Sequence, residues 1–163
     1  MSLDPYRLPR AVLPRHYAVT LEPELAAATF GGSVTIAVDV VEAADQIVLN
    51  AIELEITAVS VDGASAAFQL DDETERLFIE HAVEPGSRTI AITFTGILND
   101  KLRGFYRSTY TDDAGTEHVV ACSQMQATDC RRAFPCFDEP DMKATFGITL
   151  VVDEGLMAVS NGP

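Results

Sequence analysis

Apolar and polar residues alternate along most of the chain, so that every second side chain belongs to one face. The clearest examples are residues 33–40, Ser-Val-Thr-Ile-Ala-Val-Asp-Val, and residues 88–95, Arg-Thr-Ile-Ala-Ile-Thr-Phe-Thr. A period of two predicts half-buried antiparallel β-strands. The same pattern predicts further strands at residues 16–21, 46–49, 55–61, 67–70, 76–79, 104–110, 119–124, 145–152 and 156–159.

Short turn sequences separate these segments and indicate the fold class. Asp62-Gly63, Glu84-Pro85-Gly86 and Asp153-Glu154-Gly155 are typical of tight turns. Roughly eleven strands spaced about 8–12 residues apart predict an all-β fold, an antiparallel β-sandwich or saddle. The alanine-rich residues 24–29 could form one helical turn, but they are too few for an independent helix. Because no linker or repeat interrupts the pattern, residues 1–163 are expected to form a single domain.

One long irregular loop, residues 128–142, fits neither the strand period nor the helix period. It contains two prolines, two cysteines and two phenylalanines. An irregular loop of about 15 residues inside a compact domain is usually functional or part of an interface. Its apolar residues Phe134 and Phe137 therefore predict an exposed apolar patch against which a neighbouring domain docks.

Charge and composition exclude several classes of function. The chain has 11 Lys and Arg residues against 25 Asp and Glu residues, and this net charge of −14 disfavours nucleic-acid and membrane-surface partners. A hydrophobic content of 47% excludes a disordered chain. No apolar run approaches the ~20 residues of a membrane span, and the amino terminus lacks the apolar core of a secretory signal. The few cysteines form no Cys-x-x-Cys pair, so we expect a cytoplasmic protein.

Metal-binding chemistry is sparse in the sequence. The histidines are His16, His81 and His118. They are scattered along the chain and form no His-Glu-x-x-His arrangement. The spacing of the cysteines matches no common metal-ligand pattern, which favours buried apolar roles for Cys122, Cys130 and Cys136. We therefore expect neither a metal nor another cofactor on this chain itself.

The carboxyl-terminal residues carry a turn signal. The dipeptide Asn161-Gly162 is typical of a hairpin turn, and no returning strand follows it. We therefore expect the chain to be a segment of a longer polypeptide. The alternative is a natural carboxyl-terminal tail.

Four segments carry a resemblance to a known family. They are Leu8-Pro9-Arg10 with Pro14-Arg15-His16-Tyr17, Gly104-Phe105-Tyr106-Arg107-Ser108, the stretch from Ser123 to Pro140, and Lys143-Ala144-Thr145-Phe146. Read in order, they resemble the amino-terminal domain of the aminopeptidase N family of zinc metallopeptidases. The resemblance covers essentially the whole chain, and the part ending in Phe-Pro-Cys-Phe-Asp-Glu-Pro is highly specific.

The resemblance implies a multidomain enzyme whose first domain is a β-sandwich or saddle. In that family the zinc ligands belong to the following domain, which this chain lacks, so zinc is expected only in the full-length enzyme. A hairpin of the first domain reaches the cleft, where two residues bind the free α-amino group of the substrate. Here they correspond to Gln124 and Gln126, with Met125 between them as a third substrate-binding residue. Many members have Glu at the position of Gln126.

This assignment is physically sensible, because an α-ammonium group offers three donors and amide oxygens accept hydrogen bonds from it. The alternative is that Gln124 and Gln126 are solvent-facing strand ends. For the irregular loop, Arg131, Arg132, Asp138 and Glu139 are expected to pair among themselves or with the catalytic domain, since Arg–carboxylate pairs hold irregular backbone.

The resemblance therefore implies the substrate-cleft domain of a cytoplasmic zinc aminopeptidase, which releases amino-terminal residues from peptides. Alone, the chain is expected to be inactive, and its partners are the amino terminus of the peptide and a downstream catalytic domain docked near Phe134 and Phe137. One alternative is a scaffold domain of a non-catalytic relative, and another is a free-standing β-sandwich binding module. An intact His-Glu-x-x-His motif downstream would distinguish the enzyme from the scaffold.

Overall fold

The structure, a computed structural model, describes residue 4 and residues 6–161. Within this part of the chain the fold is all-β, as predicted, with a single turn of 3₁₀ helix, Cys130–Arg132. The strands are β1 (Val12–Glu24), β2 (Thr29–Val40), β3 (Ile47–Asn50), β4 (Leu54–Val61), β5 (Ala64–Ser65), β6 (Ala67–Asp71), β7 (Arg76–Glu80), β8 (Gly86–Ile97), β9 (Gly104–Thr111), β10 (Glu117–Gln124) and β11 (Thr145–Leu150).

Six strands form the main sheet in the order β11-β1-β2-β8-β4-β5. Alternation places the apolar residues of β2 on one face, where Val34, Ile36, Val38 and Val40 are buried. The neighbouring pairs are antiparallel except β1 and β11, which run parallel. The sheet is therefore mixed rather than purely antiparallel, because β11 reaches β1 through a long connection instead of a hairpin.

A smaller sheet, β3-β7-β6, and the hairpin β9-β10 complete the fold. Every residue of β3 is buried, and the apolar residues Ile47 and Leu49 belong to the same core cluster as the buried face of β2. Leu77 and Ile79 of β7 belong to that cluster as well. This shared core accounts for the predicted sandwich.

Two predicted local structures are absent from the described residues. Residues 25–28 form a hairpin turn between β1 and β2 rather than a helical turn, and Ala28 adopts a positive φ of 56° there. Residues 156–159 form no strand, although their sequence alternates. The short strand β5 was not predicted, because two residues carry no periodic signal. The Asn161-Gly162 hairpin signal extends beyond the described residues.

The irregular loop packs into the fold rather than projecting from it. Asn50 and Cys136 exchange two backbone hydrogen bonds, with N to O distances of 2.8 and 3.0 Å. Phe134 and Phe137 are only 4% and 5% exposed. The prediction of an exposed apolar patch at these two residues is therefore wrong. Their rings complete the core of this domain, where Phe134 lies 6.3 Å from the ring of Tyr17, centroid to centroid.

Among the described residues, no helix has the length and apolar character needed to cross a membrane.

Candidate functional site

Two of the predicted site residues lie at the end of the hairpin β9-β10. Gln124 is the last residue of β10 and pairs with Gly104, the first residue of β9. Its side chain is exposed, as is that of Gln126 in the turn that follows. Met125 is half-buried and packs against the core, so it anchors the segment between the two glutamines.

The turn that contains Gln126 joins the hairpin to the irregular loop. The Asp129 N–H donates to the Met125 carbonyl oxygen, with an N to O distance of 3.0 Å. The Gln126–Ala127 peptide bond within this turn is cis. Cys130–Arg132, the 3₁₀ helix, begins immediately after Asp129. Only residues 127–129, which belong to this hydrogen-bonded turn, separate Gln126 from the 3₁₀ helix.

Gly104 allows the hairpin to lie directly against this helix. Its φ is +67°, a left-handed conformation that favours glycine. A Cβ at this position would lie 2.7 Å from the Arg132 Cβ and 3.3 Å from the Asp129 carbonyl oxygen. Any larger residue would therefore push the start of β9 away from the loop. Because Gly104 pairs with Gln124, this close contact also sets the position of the glutamine backbone.

Arg132 forms the centre of a cluster of carboxylates beneath the hairpin. Its guanidinium lies 2.7 Å from Glu53, 2.9 Å from Asp129 and 3.5 Å from Glu75. Burial by itself lowers the pKa of Arg132, but the pairing with Glu53 and Asp129 outweighs burial and leaves the pKa raised. The charge is therefore held in place by three carboxylates on three separate segments.

Arg131 extends this cluster toward the end of the loop. Its Nη1 lies 3.0 Å from Glu75, and its Nε lies 2.9 Å from Asp138. The predicted pairing inside the loop is thus confirmed for Arg131 and Asp138. Arg132 instead pairs with Asp129 and with two glutamates that sequence reasoning missed. Glu53 and Glu75 give no local signal, because both precede the loop by more than 50 residues.

A second set of contacts fixes the far half of the loop. The Phe137 N–H donates to the Tyr17 hydroxyl oxygen over 3.0 Å, and Glu139 accepts from the Leu8 N–H over 2.7 Å. Glu139 also pairs with Arg7 at 2.8 Å. Burial raises the pKa of Tyr17, and the neighbouring Cys136 adds to that effect. The hydroxyl therefore stays protonated and available at neutral pH.

The exposed glutamines can form hydrogen bonds in either direction, because each amide has an accepting oxygen and a donating nitrogen.

The residues around the glutamines offer no place for zinc. Within residues 4 and 6–161, no group of three or more His, Cys, Asp or Glu side chains is arranged to hold a metal ion. His118 pairs with Asp112 at 2.8 Å, and His16 lies 2.8 Å from the Thr145 hydroxyl. The chemistry available here is hydrogen bonding to a polar group.

Comparison with known proteins identifies similar chains. Residues 13–163 match the family described as the peptidase M1 N-terminal domain. The chain is 43% identical over 162 residues to aminopeptidase M1-D of Oryza sativa subsp. japonica, covering 96% of this chain and 18% of that protein. It is 40% identical to the alanine/arginine aminopeptidase of Saccharomyces cerevisiae, covering 94% of this chain and 19% of that protein. It is 43% identical to the puromycin-sensitive aminopeptidase of Caenorhabditis elegans, covering 95% and 17%.

The coverage is strongly unequal between the chain and these relatives. Nearly all of this chain is matched, whereas it spans 17–19% of the length of the curated relatives described above. What is similar is therefore one domain, and most of each relative lies outside the match.

Proposed function

The chain belongs to the peptidase M1 N-terminal domain family, and from this premise we propose that it forms the amino-terminal, substrate-cleft domain of a longer zinc aminopeptidase. The names of its relatives support the activity, since they are aminopeptidases. In this proposal Gln124 and Gln126 bind the free amino group of a peptide substrate. Met125 holds the segment between them against the core.

The observation that carries this proposal is the contrast between exposed amides and their rigid support. Both glutamine side chains are open to solvent, while Gly104 and the Arg132 cluster fix the backbone that bears them. A rigid support of this kind lowers the entropy lost on binding. An α-ammonium group has three donors, so the two Oε1 atoms can accept from it together. Recognition of this group restricts cleavage to the amino terminus of a peptide.

The test is the substitution Gln126→Ala in the complete enzyme. Removing one hydrogen bond to a charged group costs roughly 1.5–3 kcal/mol, so kcat/KM should fall about 10- to 150-fold. Gln69→Ala is the matched control, because Gln69 is an exposed glutamine on β6, outside the hairpin. Substrates with a free and an acetylated amino terminus are compared at fixed pH and zinc concentration. Only the free amine should lose rate.

Two further substitutions separate the roles of the glutamines. Gln126→Glu should preserve or improve binding, because a carboxylate adds Coulomb attraction to the ammonium group. Gln124→Ala should have a smaller effect on rate and should change the preference for the first side chain. If Gln126→Ala leaves both kcat/KM and the selectivity for a free amine unchanged, the glutamines are solvent-facing strand ends and the proposal fails.

The proposal places zinc and its ligands outside these 163 residues, in the downstream domain. The isolated chain should then neither bind stoichiometric zinc nor cleave aminoacyl reporter amides. Chelator-sensitive peptidase activity in a contaminant-free preparation of the chain would contradict this expectation.

The downstream domain is proposed to dock near the irregular loop, although the rings of Phe134 and Phe137 are buried. The thiols of Cys122, Cys130 and Cys136 are free, which supports a reducing, cytoplasmic location.

A further inference from the structure

The irregular loop holds two cysteines that the proposed function does not use. Cys130 is the first residue of the 3₁₀ helix, and Cys136 lies six positions later, directly after Phe134-Pro135. The chain reverses between the cysteines, because the N–H groups of Ala133 and Phe134 both donate to the Cys130 carbonyl oxygen, at 2.9 and 3.2 Å. This reversal brings the second cysteine back toward the first.

The two thiols are neighbours inside the fold. The Cys130 side chain is a hydrogen-bond partner of the Cys136 thiol. Burial raises the pKa of Tyr17, and Cys136 and Cys130 both add to that effect, so both sulfurs lie near one hydroxyl oxygen. Cys136 belongs to the core cluster, and Cys130 packs against it. Two cysteines placed in this way form a dithiol whose sulfurs can react with each other.

The two sulfurs differ in their access to solvent, which gives each a separate role. Cys136 is only 3% exposed, and burial raises the pKa of its thiol. Cys130 is half-buried, so a small oxidant reaches it first. An accessible cysteine with a second thiol beside it is typical of a redox-sensing pair. A reducing compartment is compatible with such a pair, since cytosolic disulfides are usually transient and catalytic or redox-sensing.

We propose that Cys130 and Cys136 form a reversible oxidation site, at which a peroxide converts the dithiol into a disulfide within the loop. In the first step the Cys130 sulfur attacks the O–O bond of hydrogen peroxide, giving a sulfenic acid and one water. In the second step the Cys136 sulfur attacks the Cys130 sulfur, and the S–S bond forms as the S–O bond breaks. The displaced hydroxyl group leaves with the Cys136 proton as a second water. The two sulfurs together lose two electrons, which reduce the peroxide.

The position of the pair gives this modification a structural target. The helix that begins at Cys130 contains Arg132, against which Gly104 packs. Gly104 in turn pairs with Gln124 at the end of the hairpin. A crosslink at Cys130 therefore acts on the segment that supports the exposed glutamines. The oxidation itself does not depend on the proposed peptide binding, so the two proposals can fail independently.

The first test treats the complete, unaltered protein with hydrogen peroxide, blocks the remaining thiols and analyses tryptic peptides by mass spectrometry. Trypsin separates the partners, because residues 108–131 carry Cys122 and Cys130, whereas residues 133–143 carry Cys136. We expect these two peptides to be joined with the loss of two hydrogen atoms, and a reducing dithiol to separate them again. Sulfinic or sulfonic acid at Cys130 without the crosslink, or no oxidation at all, overturns the proposal.

Two substitutions in the complete protein then identify the cysteine that is crosslinked. Cys122→Ala is the matched control, because Cys122 is also half-buried but lies opposite Tyr106 in the hairpin rather than beside a cysteine. It should leave the yield of joined peptides unchanged. Cys130→Ala should abolish the joined peptides and leave Cys136 as a thiol. Joined peptides that persist in Cys130→Ala or disappear in Cys122→Ala overturn the proposal. Because the first test needs no substitution, the proposal stays falsifiable if either variant fails to fold.

Discussion

The irregular loop and strand β11 differ in a way that their sequences do not suggest. The loop has almost no regular structure. Within this chain, however, its backbone bonds to Asn50, its phenylalanines are buried, and its two arginines pair with carboxylates. β11 is a regular strand, yet all of its residues except Leu150 are exposed, and its outer edge is unpaired among the described residues. Regular secondary structure therefore does not indicate whether a region finds all its packing and hydrogen-bond partners within this chain. The burial of its apolar side chains and the pairing of its polar groups do.

The comparison also explains where a precise site can form. The exposed glutamines adjoin the loop, which is the region fixed by partly buried ion pairs, rather than the uncovered edge. Removing one partner of such a pair leaves the other charge uncompensated. The loop conformation that keeps the charges paired is therefore strongly favoured over conformations that separate them. The predictions below test whether the loop is as well determined as its contacts indicate, from the largest expected effect to the smallest.

The largest effect is expected from Arg131→Ala. It leaves Asp138, with a side chain 13% exposed, without a partner, and it leaves Glu75, 31% exposed, with only the 3.5 Å contact to Arg132. Breaking a buried pair costs 3–5 kcal/mol, and we expect about 3 kcal/mol because Glu75 is partly solvated. Arg15→Ala is the control, since Arg15 is 70% exposed in its pair with Asp39 and should lose less than about 1 kcal/mol. Urea unfolding measures both, and equal losses would show that the loop is not fixed by this pair.

A smaller effect is expected from Gly104→Ala, compared with Gly115→Ala. Both glycines have positive φ, +67° and +84°, so both variants carry the same kind of backbone strain. A Cβ at Gly115 meets no atom within 4 Å, whereas a Cβ at Gly104 meets Arg132. Overpacking costs about 1–3 kcal/mol, so Gly104→Ala should destabilise by about 2 kcal/mol more. Equal unfolding free energies would mean that the hairpin does not rest on the loop.

The smallest effect at neutral pH is expected from Tyr17→Phe. It leaves the buried Phe137 N–H without an acceptor, which costs about 1–2 kcal/mol. Urea unfolding at pH 7 measures this loss. If the variant is as stable as the unaltered chain, the Tyr17 hydroxyl does not hold the loop.

The same variant predicts a difference at alkaline pH. Burial raises the pKa of Tyr17 in the folded chain, whereas unfolded tyrosine ionises near pH ~10. Above that pH the unfolded chain releases a proton that the folded chain keeps, so stability falls as pH rises. Tyr17→Phe removes this part of the fall, and the stability gap between the two proteins should narrow between pH 9 and 11. A constant gap would contradict the burial of this hydroxyl.

The sequence predicted the strands well, because alternation reports directly on a half-buried sheet. Alternation also ended a predicted strand at Gln124, as observed. The resemblance to a family motif, and not any local pattern, selected Gln124 and Gln126 as site residues. The sequence failed for Phe134 and Phe137, since apolar residues in an aperiodic segment do not reveal whether they face the domain's own core or a neighbour. The roles of Glu53 and Glu75 were missed for another reason. Their pairing with the loop is set by tertiary structure, and the local sequence of an acidic residue in a turn is the same whether or not it pairs with a distant arginine.

The 156–159 segment shows a different limit. Its alternation predicts a strand, and the described residues supply no partner for it. A periodic pattern expresses how a segment is buried in the complete fold, so it can report on neighbours that lie elsewhere in a longer polypeptide.

The most direct test of the central claim, that the Arg132 cluster positions Gln126, is a double-mutant cycle in the complete enzyme. Its readout is the ratio of inhibition constants for a peptide with a free amino terminus and its desamino counterpart. This ratio does not depend on how much of the enzyme is folded. Arg132→Gln should reduce the selectivity about tenfold in the unaltered background and have no further effect beside Gln126→Ala. Losses that simply add in the two backgrounds would contradict the account.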